Sequence, residues 1–190
     1  MIQVISGSDR KDSRSRQVAE IVRGHLVKAG AETEIIDLHT VPLESAVKGA
    51  YNDEPLPKSL AEVVEKVNSS DGLVMITPEY NGSMPGVLKY FIDQWSYPKS
   101  FEHRPVAFVG LGGRFGGLRP VEHLQGVFGY RNAFCFPTRV FLMNIWNILK
   151  DGAITDENSA QLLEQQAHGF VKFIKALKSE CLDANSVQKK

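Results

Sequence analysis

The sequence predicts an α/β domain in which a doubly wound, five-stranded parallel sheet carries helices on both faces. Three observations predict it. Short apolar runs alternate with stretches at helical spacing, and the alternation continues without a break in composition from residue 2 to about residue 178. Single helices separate successive runs, so the strands cannot be hairpins. A helical crossover returns the chain parallel and on a right-handed path.

The strand candidates are Ile2 to Ser6, Glu34 to Leu38, Gly72 to Thr77, Val106 to Leu111 and Ala133 to Phe136, the last extendable through Val140 to Met143. Between the first two, Val18, Ile21, Val22, Leu26 and Ala29 repeat at helical spacing with Arg16, Glu20 and Arg23 opposite, and Gly30 stops the helix. Leu60, Val63, Val64 and Val67 predict a helix before the third strand; Val87, Leu88, Phe91, Ile92 and Trp95 predict one after it. A further helix runs from about Gly117 to Phe128. The last is expected to be capped by Thr155, with Asp156 and Glu157 in its first turn and Leu163, Ala167, Phe170, Ile174 and Leu177 facing inward. Residues 1–181 then form one domain, and residues 182–190, which lack periodicity, are expected to be a disordered tail.

The 190 residues suit one sizeable core. Lys plus Arg number 22 and Asp plus Glu also 22, so no basic field argues for nucleic acid or an acidic membrane surface. Two cysteines, Cys135 and Cys181, support neither a disulfide framework nor a Cys-x-x-Cys pair, which fits a cytoplasmic protein. Cys135, between Phe134 and Phe136, reads as an inert buried thiol. No apolar run approaches the ~18 residues of a membrane span, and a strand beginning at Ile2 leaves no room for a targeting segment. His25, His39, His103, His123 and His168 show no metal spacing.

In doubly wound sheets ligands sit beyond the carboxyl ends of the strands, which directs attention to three loops. The loop after the first strand contains Gly7, Ser8, Arg10, Ser13 and Ser15 and runs into a helix. Hydroxyls, a guanidinium and free helix amides suit an anion; the plainer reading is a serine cap in a polar loop. Neither a Gly-x-Gly-x-x-Gly fingerprint nor a Gly-Lys-Ser/Thr ending is present. The loop after the third strand, Pro78-Glu79-Tyr80-Asn81-Gly82-Ser83-Met84-Pro85-Gly86, is stiff. It suits either a flat heteroaromatic ring laid against backbone or simply a tight turn with a surface tyrosine, and Ser83 with Pro85 is expected to open the next helix. The third loop has four glycines among residues 112–117, which permit close approach of a ligand to backbone.

These motifs resemble the NAD(P)H-dependent FMN reductase family, flavodoxin-like proteins that include azo, quinone and chromate reductases. The likeness covers nearly the whole chain. Gly7, Ser8, Arg10 and Ser13 match the family's phosphate loop, with Ser15 where asparagine is usual. Pro78 to Asn81, then Pro85 to Lys89, Ile92 and Asp93, match its most specific segment, and Gly112 to Arg119 resembles its loop beside the isoalloxazine. The resemblance implies bound FMN held by Ser8, Arg10, Ser13, Ser15, Pro78, Glu79, Tyr80, Asn81, Gly82, Gly112 and Gly113. It also implies NAD(P)H as electron donor and a ping-pong reaction with small acceptors such as quinones, azo compounds or free flavin. No side chain is then needed as catalytic acid or base, because the flavin carries the chemistry. A homodimer or homotetramer is implied, with Tyr90, Phe91 and Trp95 departing from the family's usual residues near its dimer contact, and with Arg114 serving either the nicotinamide phosphate or, as the favoured reading, a subunit contact. Phe141 to Ile145 and Trp146 read as core or interface. Two other functions fit the fold. One is a flavodoxin-type electron carrier, disfavoured because such carriers dock on basic partners with an acidic surface and this chain is neutral. The other is a flavin-free regulatory protein.

Overall fold

A computed structural model describes residues 1–45 and 55–188. Strand β1 (Ile2–Ser6) is followed by helix α1 (Arg14–Lys28), β2 (Thr33–Asp37), α2 (Lys58–Ser69), β3 (Gly72–Pro78), α3 (Gly86–Asp93), β4 (Pro105–Leu111) and α4 (Leu118–Tyr130). The chain continues through β5 (Phe134–Cys135), β6 (Val140–Leu142), α5 (Ile145–Ile148), a small hairpin of β7 (Leu149–Lys150) and β8 (Ala153–Ile154), α6 (Glu157–Ser179) and α7 (Ala184–Val187). The main sheet is parallel in the order β2-β1-β3-β4-β5, the flavodoxin-like arrangement.

The fifth position of the sheet is shared by two short segments. The start of β4 pairs with β5 through Pro105 and Phe134, and its end pairs with β6 from Val109–Val140 to Leu111–Leu142. Pro137 lies in the gap and has no N–H to donate, and the Thr138 carbonyl accepts from the buried Gln166 amide at 2.8 Å.

Side chains of the central strands alternate between two cores. Val4, Val74, Ile76, Ala107 and Val109 pack with α1 and α6, whereas Ile5, Leu73, Met75, Val106 and Phe108 pack with α2, α3 and α4. Helix α1 buries Val18, Ala19, Val22 and Leu26 and ends in a Schellman motif. The Ala31 N–H donates to Leu26 O and the Gly30 N–H, with φ +85°, to Val27 O.

Three local expectations are corrected. The N-cap of α6 is Asp156, whose carboxylate accepts the Ser159 N–H at 2.8 Å; Thr155 instead donates its hydroxyl to Ile148 O. Ser83 does not open α3. Pro85 is the N-cap, and Ser83 is held in a turn with Tyr80. The chain from Leu182 is not a disordered tail as far as Gln188. Asp183 caps α7, the Ala184 N–H donates to His103 O at 3.0 Å, and Asn185 Nδ2 donates to Ser70 O at 3.1 Å. Caps and amide contacts order this segment, and hydrophobic periodicity does not register them. Residues 189 and 190 lie outside the described residues. Among the described residues no helix is long and apolar enough to cross a membrane.

Candidate functional site

The first two loops meet at the carboxyl end of the sheet. Gly7 makes this possible: its N–H donates to Ile76 O at 2.8 Å, and a β-carbon there would come within 2.7 Å of that oxygen and 2.8 Å of Leu88. Ser8 follows, buried, and its hydroxyl lies 2.9 Å from the Tyr80 hydroxyl, joining the loop after β1 to the loop after β3. The Arg10 N–H also reaches Ser8 Oγ, at 3.3 Å. Ser13 is the N-cap of α1 and accepts the Arg16 N–H at 3.1 Å. The amides of Arg14 and Ser15, at the first two helical positions, have no partner in the helix ladder and carry the positive end of its dipole.

The loop after β3 turns at Asn81 and Gly82, both with positive φ (51° and 76°), closed by reciprocal Tyr80–Ser83 backbone bonds of 2.9 and 3.0 Å. This is the Asn-Gly turn of a two-residue hairpin, and its own hydrogen bonds leave the amides of the two central residues unused. Glu79 donates its N–H to Leu111 O, and its carboxylate accepts from Arg119 at 2.9 Å, tying the loop to α4.

The cleft so formed has a volume of 320 Å³. Its walls bring together Ser8, Arg10, Ser13, Ser15, Pro78, Glu79, Tyr80 and Gly112 from the sequence-derived set. Asn81, Gly82 and Gly113 stand beside it and are not in its wall. Lys11, Asp12, Arg14, Ile145 and Trp146 line it as well. Of the two places expected for Trp146, core or interface, core is ruled out: it is 48% exposed in the cleft wall. The chain brings it there after β6, where the Asn144 and Ile145 amides bond to the carbonyls of Gly113 and Gly112. That contact is long-range, and no local signal announces it.

Part of the glycine-rich stretch serves backbone packing. β-Carbons on Gly110 and Gly117 would collide with backbone at 2.7 and 2.6 Å, so these residues let the loop fold back on β4. Only Gly112 contributes to the cleft wall. Arg114 is exposed, with its guanidinium 5.8 Å from the Phe115 ring centre.

Charge is uneven in the cleft. Arg10, Lys11 and Arg14 face Asp12 and Glu79, the latter already paired with Arg119, so the α1 end is positive. An anionic group fits that end, where hydroxyls, cations and helix amides converge. A flat ring fits the other, where Gly112 has no side chain and Tyr80 and Trp146 offer aromatic surface. FMN, a phosphate joined to a planar ring, matches both ends. Cys135 lies apart on β5, half-buried, and burial pushes its thiol upward in pKa, away from reactivity.

A family model described as NADPH-dependent FMN reductase matches residues 1–147. An NAD(P)H-dependent FMN reductase of Pseudomonas aeruginosa is 30% identical over 92% of this chain and 95% of its own length. An NADPH azoreductase of a Bacillus species is 32% identical over 93% and 91% of the two chains. The solved structure of a flavoenzyme NAD(P)H:(acceptor) oxidoreductase from Paracoccus denitrificans superimposes with a TM-score of 0.72 at 25% identity, covering 92% of this chain and 97% of that one.

Proposed function

The chain belongs to the NADPH-dependent FMN reductase family, and on that footing we propose that it binds FMN in the cleft beyond β1 and β3 and passes electrons from NAD(P)H to small acceptors. Quinones, azo compounds and free flavin are the acceptor classes. The observation that carries this reading is the Ser8–Tyr80 hydrogen bond of 2.9 Å, which joins a positively charged, hydroxyl-rich loop to a rigid turn and makes one cleft of them.

Arg10, Ser13 and Ser15, with the amides at the start of α1, hold the phosphate. Pro78, Glu79, Tyr80, Asn81, Gly82, Gly112 and Gly113 position the ring, with backbone amides at its polar edge. Fixed donors of this kind stabilise developing charge with little reorganisation. The chemistry FMN supplies when bound is acceptance of a hydride and return of two electrons to an acceptor. The protein's own part is orientation, access and electrostatics, and the single cleft serves donor and acceptor in turn, which gives ping-pong kinetics. A homodimer or homotetramer in the cytoplasm is inferred as well; Tyr130 and Tyr97, 79% and 51% exposed with Arg131 packed against both rings, provide apolar surface for a second copy.

The test is direct. Purified protein incubated with FMN and desalted should retain about one flavin per chain and oxidise NADH or NADPH with menadione, giving parallel double-reciprocal lines. A protein that retains no FMN, or that holds it without consuming nicotinamide, overturns the proposal.

A further inference from the structure

Trp146 stands in the cleft wall with 48% of its surface open. An indole is a large apolar area to leave facing water, and its place here is firmly fixed. The Asn144 N–H donates to Gly113 O at 2.9 Å, the Ile145 N–H to Gly112 O at 3.1 Å, and Lys150 Nζ to Trp146 O at 3.0 Å. The ring lies against Gly113 so closely that a β-carbon there would be 3.2 Å from Trp146 Cη2. Neither Gly112 nor Gly113 has a side chain to cover the open part of the indole. The apolar surface continues outward. Met143, 57% exposed, packs on Gly116, and Phe115, 46% exposed, forms the loop tip beneath the guanidiniums of Arg119 and Arg114.

We propose that Trp146 is a specificity-determining residue that selects planar, fused two-ring aromatic acceptors over acceptors with no aromatic surface. The inference rests on the flavin reductase reading above and names the acceptor class that the site favours. A two-ring acceptor gains offset stacking on the part of the indole that the flavin leaves open; a compact inorganic anion gains nothing from the indole. Aromatic stacking of this order changes a rate ratio about two- to tenfold.

The experiment compares kcat/KM for menadione and for ferricyanide in FMN-loaded wild type, Trp146→Ala and Trp146→Phe. In a ping-pong scheme kcat/KM for an acceptor contains only the half-reaction with that acceptor, so changes in nicotinamide binding do not enter. The menadione-to-ferricyanide ratio should fall about two- to tenfold in Trp146→Ala, and Trp146→Phe should recover part of it. A second reading uses fluorescence. The chain has two tryptophans, and Trp95 is buried. Menadione added to the oxidised, FMN-loaded protein without nicotinamide should quench emission saturably in wild type and not in Trp146→Phe. An unchanged ratio in Trp146→Ala, whether both acceptors slow equally or neither does, overturns the inference, as does equal quenching in Trp146→Phe. Failure of wild type to hold FMN or to oxidise NAD(P)H overturns the flavin reductase reading itself and the inference with it.

Discussion

The two ends of the parallel sheet treat exposed helix termini in opposite ways. At the carboxyl end, α1 begins with one serine cap and leaves the amides of Arg14 and Ser15 facing a cleft. At the amino end, the carbonyls that close α2 are saturated from within the chain. Arg104 is fully buried there; its guanidinium donates to Asn68 O at 2.7 Å, Lys99 O at 2.8 Å, Ser100 O at 3.2 Å and to Ser70 O. Asn185 from α7 adds a bond to Ser70 O. Burial lowers the pKa of Arg104 to about 10, which leaves it charged at neutral pH and dependent on those acceptors. A polar cluster with its partners inside the chain is a staple; one whose donors lack partners is a place for a ligand.

The largest test of that contrast is Arg104→Ala. It strands several buried carbonyls and should remove about 3–5 kcal/mol of stability, read as a lower urea midpoint, while the FMN dissociation constant of the folded fraction stays near the wild-type value. A variant as stable as wild type would mean that the amino end is no staple.

Arg10→Ala is the complementary change. Arg10 is exposed at the cleft, so the variant should keep its apo stability but bind FMN about ten- to a hundredfold more weakly by titration calorimetry. Unaltered affinity would separate the positive end of the cleft from phosphate binding.

Tyr80→Phe removes the hydroxyl that joins the two site loops and should cost about 0.5–1.5 kcal/mol in apo thermal unfolding. No loss would show that FMN, and not this bond, brings the loops together.

The smallest effect concerns pH. Burial alone would raise the Asp71 pKa, but Lys178, at 2.6 Å, and the N-terminal ammonium, at 2.5 Å, outweigh it and hold the carboxyl below its usual range. A group depressed in the folded state adds stability above its unfolded pKa of about 4 and loses it as pH falls through the folded value. The pair is partly exposed, so stability should drop by under about 1 kcal/mol from this source below pH 4, and Asp71→Asn should flatten that slope in acid urea titrations.

Legibility followed the range of the interactions. Five apolar runs announced the sheet because alternation and burial are local properties of a strand, and the serine-rich loop announced its end of the cleft because cap and hydroxyl donors sit together in the chain. Trp146 was missed because a fold-back after β6 brings it to the cleft. The packing purpose of Gly117 did not show because a glycine required by backbone packing looks the same in sequence as one required by a ligand. The Asn81–Gly82 hairpin carried its usual signature, but the prolines around it suggested a helix start at Ser83. Asp156 and Thr155 are both good caps, and the closer carboxylate won.

The break in the fifth position of the sheet also bears on behaviour at high concentration. An unpaired strand edge is a template for another chain, and aggregates grow where such an edge is long, flat and apolar. Here that side offers two residues at Phe134–Cys135 and three at Val140–Leu142, with Pro137 between them. A neighbouring chain finds no uninterrupted run on which to add a strand, so this edge resists fibre-like growth even when the protein is crowded.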